Sequence, residues 1–322
     1  MQLPPCPVCG QPVHPHTLSC PCGTELVFLP DEGRFSSDAP QCANRAQIGC
    51  NWQAETEAGL CRSCAMTQTV PDLAIEESTA LWSETERAKR LAIQGFVRLG
   101  WFTPEDTGPR PVFHLLAERT AAEGRVKVLM AHADGEVTLN VAEADPAIRA
   151  IRQKDMDEDF RSMVGHVRHE MGHFVFWRLS QNPDFVSAFR ALFGDERADY
   201  AEALAAHHES PQQAGTDYIS SYATSHPHED WAETFAHLMH LMDLADSFDA
   251  AGLSLGGYPA PASAYGEADA DKLLMRAGDV AIALNHLNLS MGLPSPYPFV
   301  LGPGVRGKLA FVHRWMTGRA VV

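Results

Sequence analysis

Apolar residues recur at three- and four-residue steps between about Asp157 and Leu179: Phe160, Met163, Val164, Val167, Met171, Phe174 and Val175. That spacing predicts a largely buried helix. A second helix is expected from Glu77 to Leu99, with Leu81, Trp82, Ala88, Leu91, Ala92, Phe96 and Leu99 on its apolar face and Glu84, Arg87, Lys89 and Arg90 mostly on the other. Further helices follow by pattern over Pro183–Phe193, Asp195–His208 and Asp271–Ser290, and a last one carries Leu309, Phe311, Val312 and Trp315. Pro227 and the acids after it mark another helix start, followed by the stripe Trp231, Phe235, Leu238, Met239 and Met242. Strand-like runs are few. Leu26–Leu29 is one, and Arg125–Met130 with Glu136–Val141, joined by His132–Gly135, reads as a hairpin. Stretches 103–111 and 252–266, rich in Gly and Pro, read as loops. The expected fold class is α+β, mostly helical with a small β-sheet.

The first helix carries His169-Glu170-Met171-Gly172-His173. Residues four apart share a helix face, so the two imidazoles point the same way with a glutamate between them. Such a pair suits Zn²⁺, and Glu170 suits a general base acting on a water at the metal. A third ligand is needed. Phe176 and Leu179 stand where a short-spaced third histidine site would require Gly and His, so a carboxylate further on is expected. Glu229 is preferred, because Glu229 and Glu233 share one face of the Pro227 helix. The first would ligate the metal, and the second would accept the other N–H of His169 and fix its tautomer. Glu196, about twenty residues after His173, is the alternative.

All eight cysteines fall before residue 65: Cys6, Cys9, Cys20, Cys22, Cys42, Cys50, Cys61 and Cys64. Their close pairs and their number suit two structural Cys₄ zinc sites. Sequential pairing divides them after Cys22, and an interleaved pairing is the alternative. Residues 1–70 are expected to form a zinc-ribbon module that depends on metal to fold, and 71–322 a second domain that includes the linker helix 77–99.

The order Tyr222, Glu229, Glu233, behind a helix with two histidines and a glutamate, resembles the catalytic core of anthrax lethal factor and the proline-specific clostridial endopeptidases. That resemblance implies that Tyr222 steadies the oxyanion. Nearly the whole chain resembles the bacterial zinc-binding metallopeptidases that join an N-terminal zinc ribbon to a zincin-like peptidase domain. The matching stretches include Cys42-Ala43-Asn44, Cys50-Asn51-Trp52, Val70-Pro71-Asp72-Leu73, Glu143-Ala144-Asp145, Gly165–Glu170, Phe193–Glu196 and His228–Thr234. The resemblance implies a gluzincin-type peptidase with one catalytic and two structural zinc ions.

Composition narrows the partners. The 322 residues, 45% hydrophobic, suffice for one sizeable domain and a small one, and there is no apolar run long enough to span a bilayer. No membrane association and a cytoplasmic location are expected. A net charge of −16 opposes phosphate backbones, and Arg34, Arg45 and Arg62 are the only basic side chains before residue 70. Nucleic acid is therefore an unfavoured partner. A peptide or protein substrate is expected, with a protein partner for the ribbon. The alternative function is a non-catalytic, zinc-dependent peptide-binding or scaffold protein.

Overall fold

The computed structural model describes residues 2–117, 119–121, 124–126, 130–156, 162–256, 263–295, 297 and 301–318. It divides into two compact units, Gln2–Val167 and Arg168–Val322. The parts of the expected elements at 127–129, 157–161 and 257–262 lie outside the described residues.

The first unit opens with strands β1 (Val27–Leu29) and β2 (Arg34–Ser36), an antiparallel pair in the register Phe28↔Phe35. Short helices α1 (Arg45–Ile48) and α2 (Arg62–Ala65) follow, then strand β3 (Thr67–Thr69). Trp52 is buried with its ring 6.1 Å from Phe28, and so packs the core of its own module. The three arginines of this region are each paired with carboxylates: Arg34 with Glu32, Arg45 with Glu25, and Arg62 with Asp31 and Glu55.

Helix α3 (Ser78–Arg98) occupies the span its periodicity predicts. Its charges depart from expectation. Glu84 and Arg87 are exposed and paired, but Lys89 and Arg90 are buried. Lys89 is tolerated there because its Nζ meets Glu86 Oε1 at 2.9 Å and lies 4.8 Å from the centroid of the Phe113 ring.

The next elements are β4 (Val112–Leu116), β5 (Arg119–Ala121), β6 (Gly124–Val126), β7 (Ala131–Ala133) and β8 (Glu136–Asn140). The expected hairpin around His132–Gly135 is present, but its first arm is β7. Arg125 belongs instead to the separate β5–β6 pair. The larger sheet has the order β3-β4-β8-β7, parallel except for the β7–β8 pair. Phe113, Leu115, Val137 and Leu139 alternate onto its buried face. Helix α4 (Pro146–Met156) follows, and α5 (Met163–Leu179) contains the division between the units.

The second unit is helical: α6 (Pro183–Phe193), α7 (Tyr200–Glu209), α8 (Pro227–Ala250), α9 (Ala270–Ser290) and α10 (Pro303–Thr317). Helix α7 is shorter than the expected Asp195–His208, because Asp199 leaves the helical path and caps it, accepting from Glu202 N at 2.9 Å. The core gathers Phe176, Phe185, Phe189, Phe193 and Phe311 around Trp231. The chain is thus α+β, with a mostly helical body after an N-terminal ribbon.

Candidate metal centre

Helix α5 sets His169 and His173 one turn apart, their Nε2 atoms 3.3 Å from each other. His169 Nδ1 donates to Glu233 Oε1 at 2.7 Å, which leaves the lone pair on Nε2. Glu229, one turn before Glu233 on α8, brings Oε2 to 3.0 Å from His169 Nε2 and Oε1 to 3.5 Å from His173 Nε2. The three ligand atoms lie within 4.8 Å of one another. A tetrahedral zinc with bonds of about 2.0–2.1 Å separates neighbouring ligand atoms by about 3.3 Å, so the arrangement has the size of a zinc site.

The electrostatics agree with the geometry. Glu229 is buried, and its Oε2 has no hydrogen-bond partner although it faces a nitrogen that is itself an acceptor. A positive charge between the two, a proton on Nε2 or a metal ion, resolves that contact. Burial alone would lower the His169 pKa, yet Glu229 and Glu233 hold it well above the ordinary imidazole value. Burial likewise opposes ionisation of Glu229, and His173 and His169 nevertheless hold its pKa well below the usual range. The pocket favours added positive charge.

Glu170 follows His169 on α5 and is 6% exposed. Tyr222 sits on a short 3₁₀ turn, Tyr222–Thr224, with its ring 6.0 Å from that of His169. Burial, reinforced by Glu229, Tyr200 and Glu170, raises its phenol pKa, so it stays protonated as a hydrogen-bond donor. The alternative ligand Glu196 is not in the cluster. Its carboxylate is engaged by Arg190 Nε at 2.9 and 3.1 Å.

Four neighbours escaped the sequence reading. Tyr200 donates its O–H to Glu229 Oε1 at 2.5 Å. Ser220 donates to Glu233 Oε2 at 2.7 Å. His226 is buried and caps α8. His207 places its ring 6.1 Å from that of Tyr222. No spacing rule announces these contacts, although Tyr200 follows a recognisable capping aspartate.

The cysteines fall into two groups in sequence order, Cys6, Cys9, Cys20, Cys22 and Cys42, Cys50, Cys61, Cys64. Cys9 and Cys20 bring their sulfurs to 3.5 Å and Cys6 and Cys22 to 3.8 Å in the first group, and Cys50 Sγ lies 3.6 Å from that of Cys61 and 3.8 Å from that of Cys64 in the second; all sulfurs of a group lie within 4.8 Å of one another. Zn–S bonds of about 2.3 Å place tetrahedral sulfurs about 3.8 Å apart, whereas a disulfide would hold them at about 2.05 Å. All eight are free thiols.

Comparison with known proteins agrees with this chemistry. Residues 34–75 match a zinc-ribbon domain. An uncharacterized protein of Mycobacterium bovis and one of Mycobacterium tuberculosis are each 35% identical to the chain, covering 96% of it and 93% of their own length. No solved structure matches the chain. Residues 78–315, well over half of the chain, match the model of one further family, so the chain belongs to the putative zinc-binding metallo-peptidase family.

Proposed function

We propose that the protein is a gluzincin-type zinc metallopeptidase in which the His169-Glu170-Met171-Gly172-His173 motif and Glu229 form the catalytic centre. The observation that carries this reading is the convergence of His169, His173 and Glu229 at zinc-ligand spacing, with the buried Glu170 beside them. Zinc held there supplies a Lewis acid that polarises the scissile carbonyl and brings a water pKa to about 7. Glu170 takes the proton of the attacking water and passes it to the leaving amine. The Tyr222 phenol donates to the oxyanion of the tetrahedral intermediate, an interaction typically worth about 10²–10³ in rate. Glu233 holds His169 in the tautomer that frees Nε2.

The eight cysteines hold two structural zinc ions in a ribbon, residues 1–70, that contacts a protein partner, and residues 71–322 form the peptidase domain. The substrate is a peptide or protein. We assign the protein to the cytoplasm, where thiols stay reduced; no helix among the described residues is long and apolar enough to cross a membrane.

Native mass spectrometry with cleavage of a peptide library tests the reading. We expect three zinc ions in the wild type, two in Glu229→Ala, and three in Glu170→Gln with hydrolysis reduced by about 10²–10⁴. Turnover that survives Glu170→Gln removes the assigned base. Zinc-dependent peptide binding without cleavage by the wild type replaces the peptidase by a non-catalytic peptide-binding scaffold.

A further inference from the structure

Among the described residues, Tyr200 and Tyr222 face the proposed centre, and the reaction above uses the second. The first, Tyr200, is the first residue of α7 and donates to Glu229 Oε1 at 2.5 Å. This contact is built from both sides by one buried imidazole. His226 Nδ1 accepts from His228 N at 3.1 Å as the cap of α8, so its proton is on Nε2, which donates to Ala198 O at 3.1 Å. The Tyr200 ring stands edge-on to His226, with centroids 5.2 Å apart. His226 therefore ties the chain two residues before Tyr200 to the chain three residues before Glu229. No residue of α7 is fully buried, so these contacts, rather than helix packing, set the position of the hydroxyl.

We propose that Tyr200 is a positioning residue of the metal centre, which occupies Glu229 Oε1 so that Oε2, the oxygen without a hydrogen bond, is the single oxygen offered to the ion. The proposal rests on Glu229 being a ligand. A hydrogen bond from an O–H to one carboxylate oxygen favours ligation through the other, whereas a released carboxylate is free to chelate through both and fill a position that catalysis leaves open. The role differs from that of Tyr222, whose donor is assigned to substrate.

The test uses the full-length chain with Tyr200→Phe, which keeps the ring against His226 at a residue that is 43% exposed and so leaves the fold intact. Cobalt(II) is the probe. The cysteine-site spectrum is removed by subtracting that of Glu229→Ala, and zinc affinity is measured beside it by chelator competition. We expect the remaining d–d absorption of Tyr200→Phe to weaken and shift as coordination rises from four to five, with zinc affinity about 10–100-fold lower. An unchanged cobalt spectrum overturns the proposal while leaving the peptidase reading in place. Retention of the third metal by Glu229→Ala overturns both.

Discussion

At His169 a proton and the proposed metal would compete for one nitrogen. Glu233 keeps Nδ1 protonated, so an added proton goes to Nε2, and the facing carboxylates favour it. In the metal-free protein His169 therefore protonates at a higher pH than an ordinary imidazole. Acidification from about pH 8 to about pH 6 should accordingly weaken zinc binding at this site by up to about tenfold per pH unit, since ligands must be deprotonated to bind. Chelator competition across that range checks it, and a flat profile contradicts it. Ser220 extends the same line of contacts: its Oγ donates to Glu233 Oε2 and accepts from Ala223 N at 3.1 Å, bracing the turn that carries Tyr222. Glu233 was legible because it lies four residues after Glu229. Ser220 and Tyr200 were not, because they reach their partners through loops whose course no local pattern specifies.

At the scale of elements, the centre depends on how closely α5 and α8 approach. Gly172 lies at their contact, where a Cβ would stand 3.0 Å from Ala232 Cα, 3.3 Å from Ala232 O and 3.2 Å from the Phe235 ring. Trp231 Nε1 donates to Gly172 O at 2.8 Å across the same contact. The glycine thus lets one helix bring His169 and His173 to the Glu229 and Glu233 of the other. Alanine is the better helix former by about 1 kcal/mol, which works in favour of Gly172→Ala. Overpacking against backbone atoms costs about 1–3 kcal/mol and should outweigh it. We expect a lower Tm and weaker binding of the third zinc; calorimetry with and without zinc checks both, and a stabilised variant would show that the helices can separate without loss. The same scale explains the sheet. Alternation marked β8, but β4 was not among the expected strands, and its parallel pairing with β8 joins separate segments and leaves no local signature. Lys89 and Arg90 looked solvent-facing by helical phase, and burial of Lys89 follows from Glu86, one turn back on the same face, and from the Phe113 ring of β4, which the phase does not report.

Across the whole chain, the two cysteine groups differ in exposure. Cys9 and Cys22 of the first are exposed, whereas all four thiols of the second are buried. A chelator reaches exposed thiolates directly and buried ones through local opening. We expect zinc release from the full-length protein in two kinetic phases for the ribbon, the faster one abolished by Cys9→Ser and the slower one by Cys61→Ser; one common phase for both groups would contradict the difference. The net charge of −16 accompanies a ribbon whose three arginines already meet carboxylates, which leaves little free positive charge there for a phosphate backbone.

What the sequence determined by itself is the chemistry that lives within a helical turn or a short knuckle. The His169–His173 pair with Glu170, the Glu229–Glu233 pair, the close cysteine pairs, the spans of α3, α6 and α9 and the end of α5 at Leu179 all follow from local patterns that the backbone geometry enforces, whereas α5 starts at Met163 rather than at the expected Asp157. Tertiary structure decided between Glu229, which the sequence preferred, and Glu196, its alternative, because Arg190 engages Glu196 and the close passage at Gly172 brings Glu229 to the imidazoles. It also decided that Tyr200 caps that carboxylate and that the thiols group in sequence order. Contacts of this kind join residues far apart in the chain, and their distances are set by the summed packing and turn geometry between them, which no local pattern encodes.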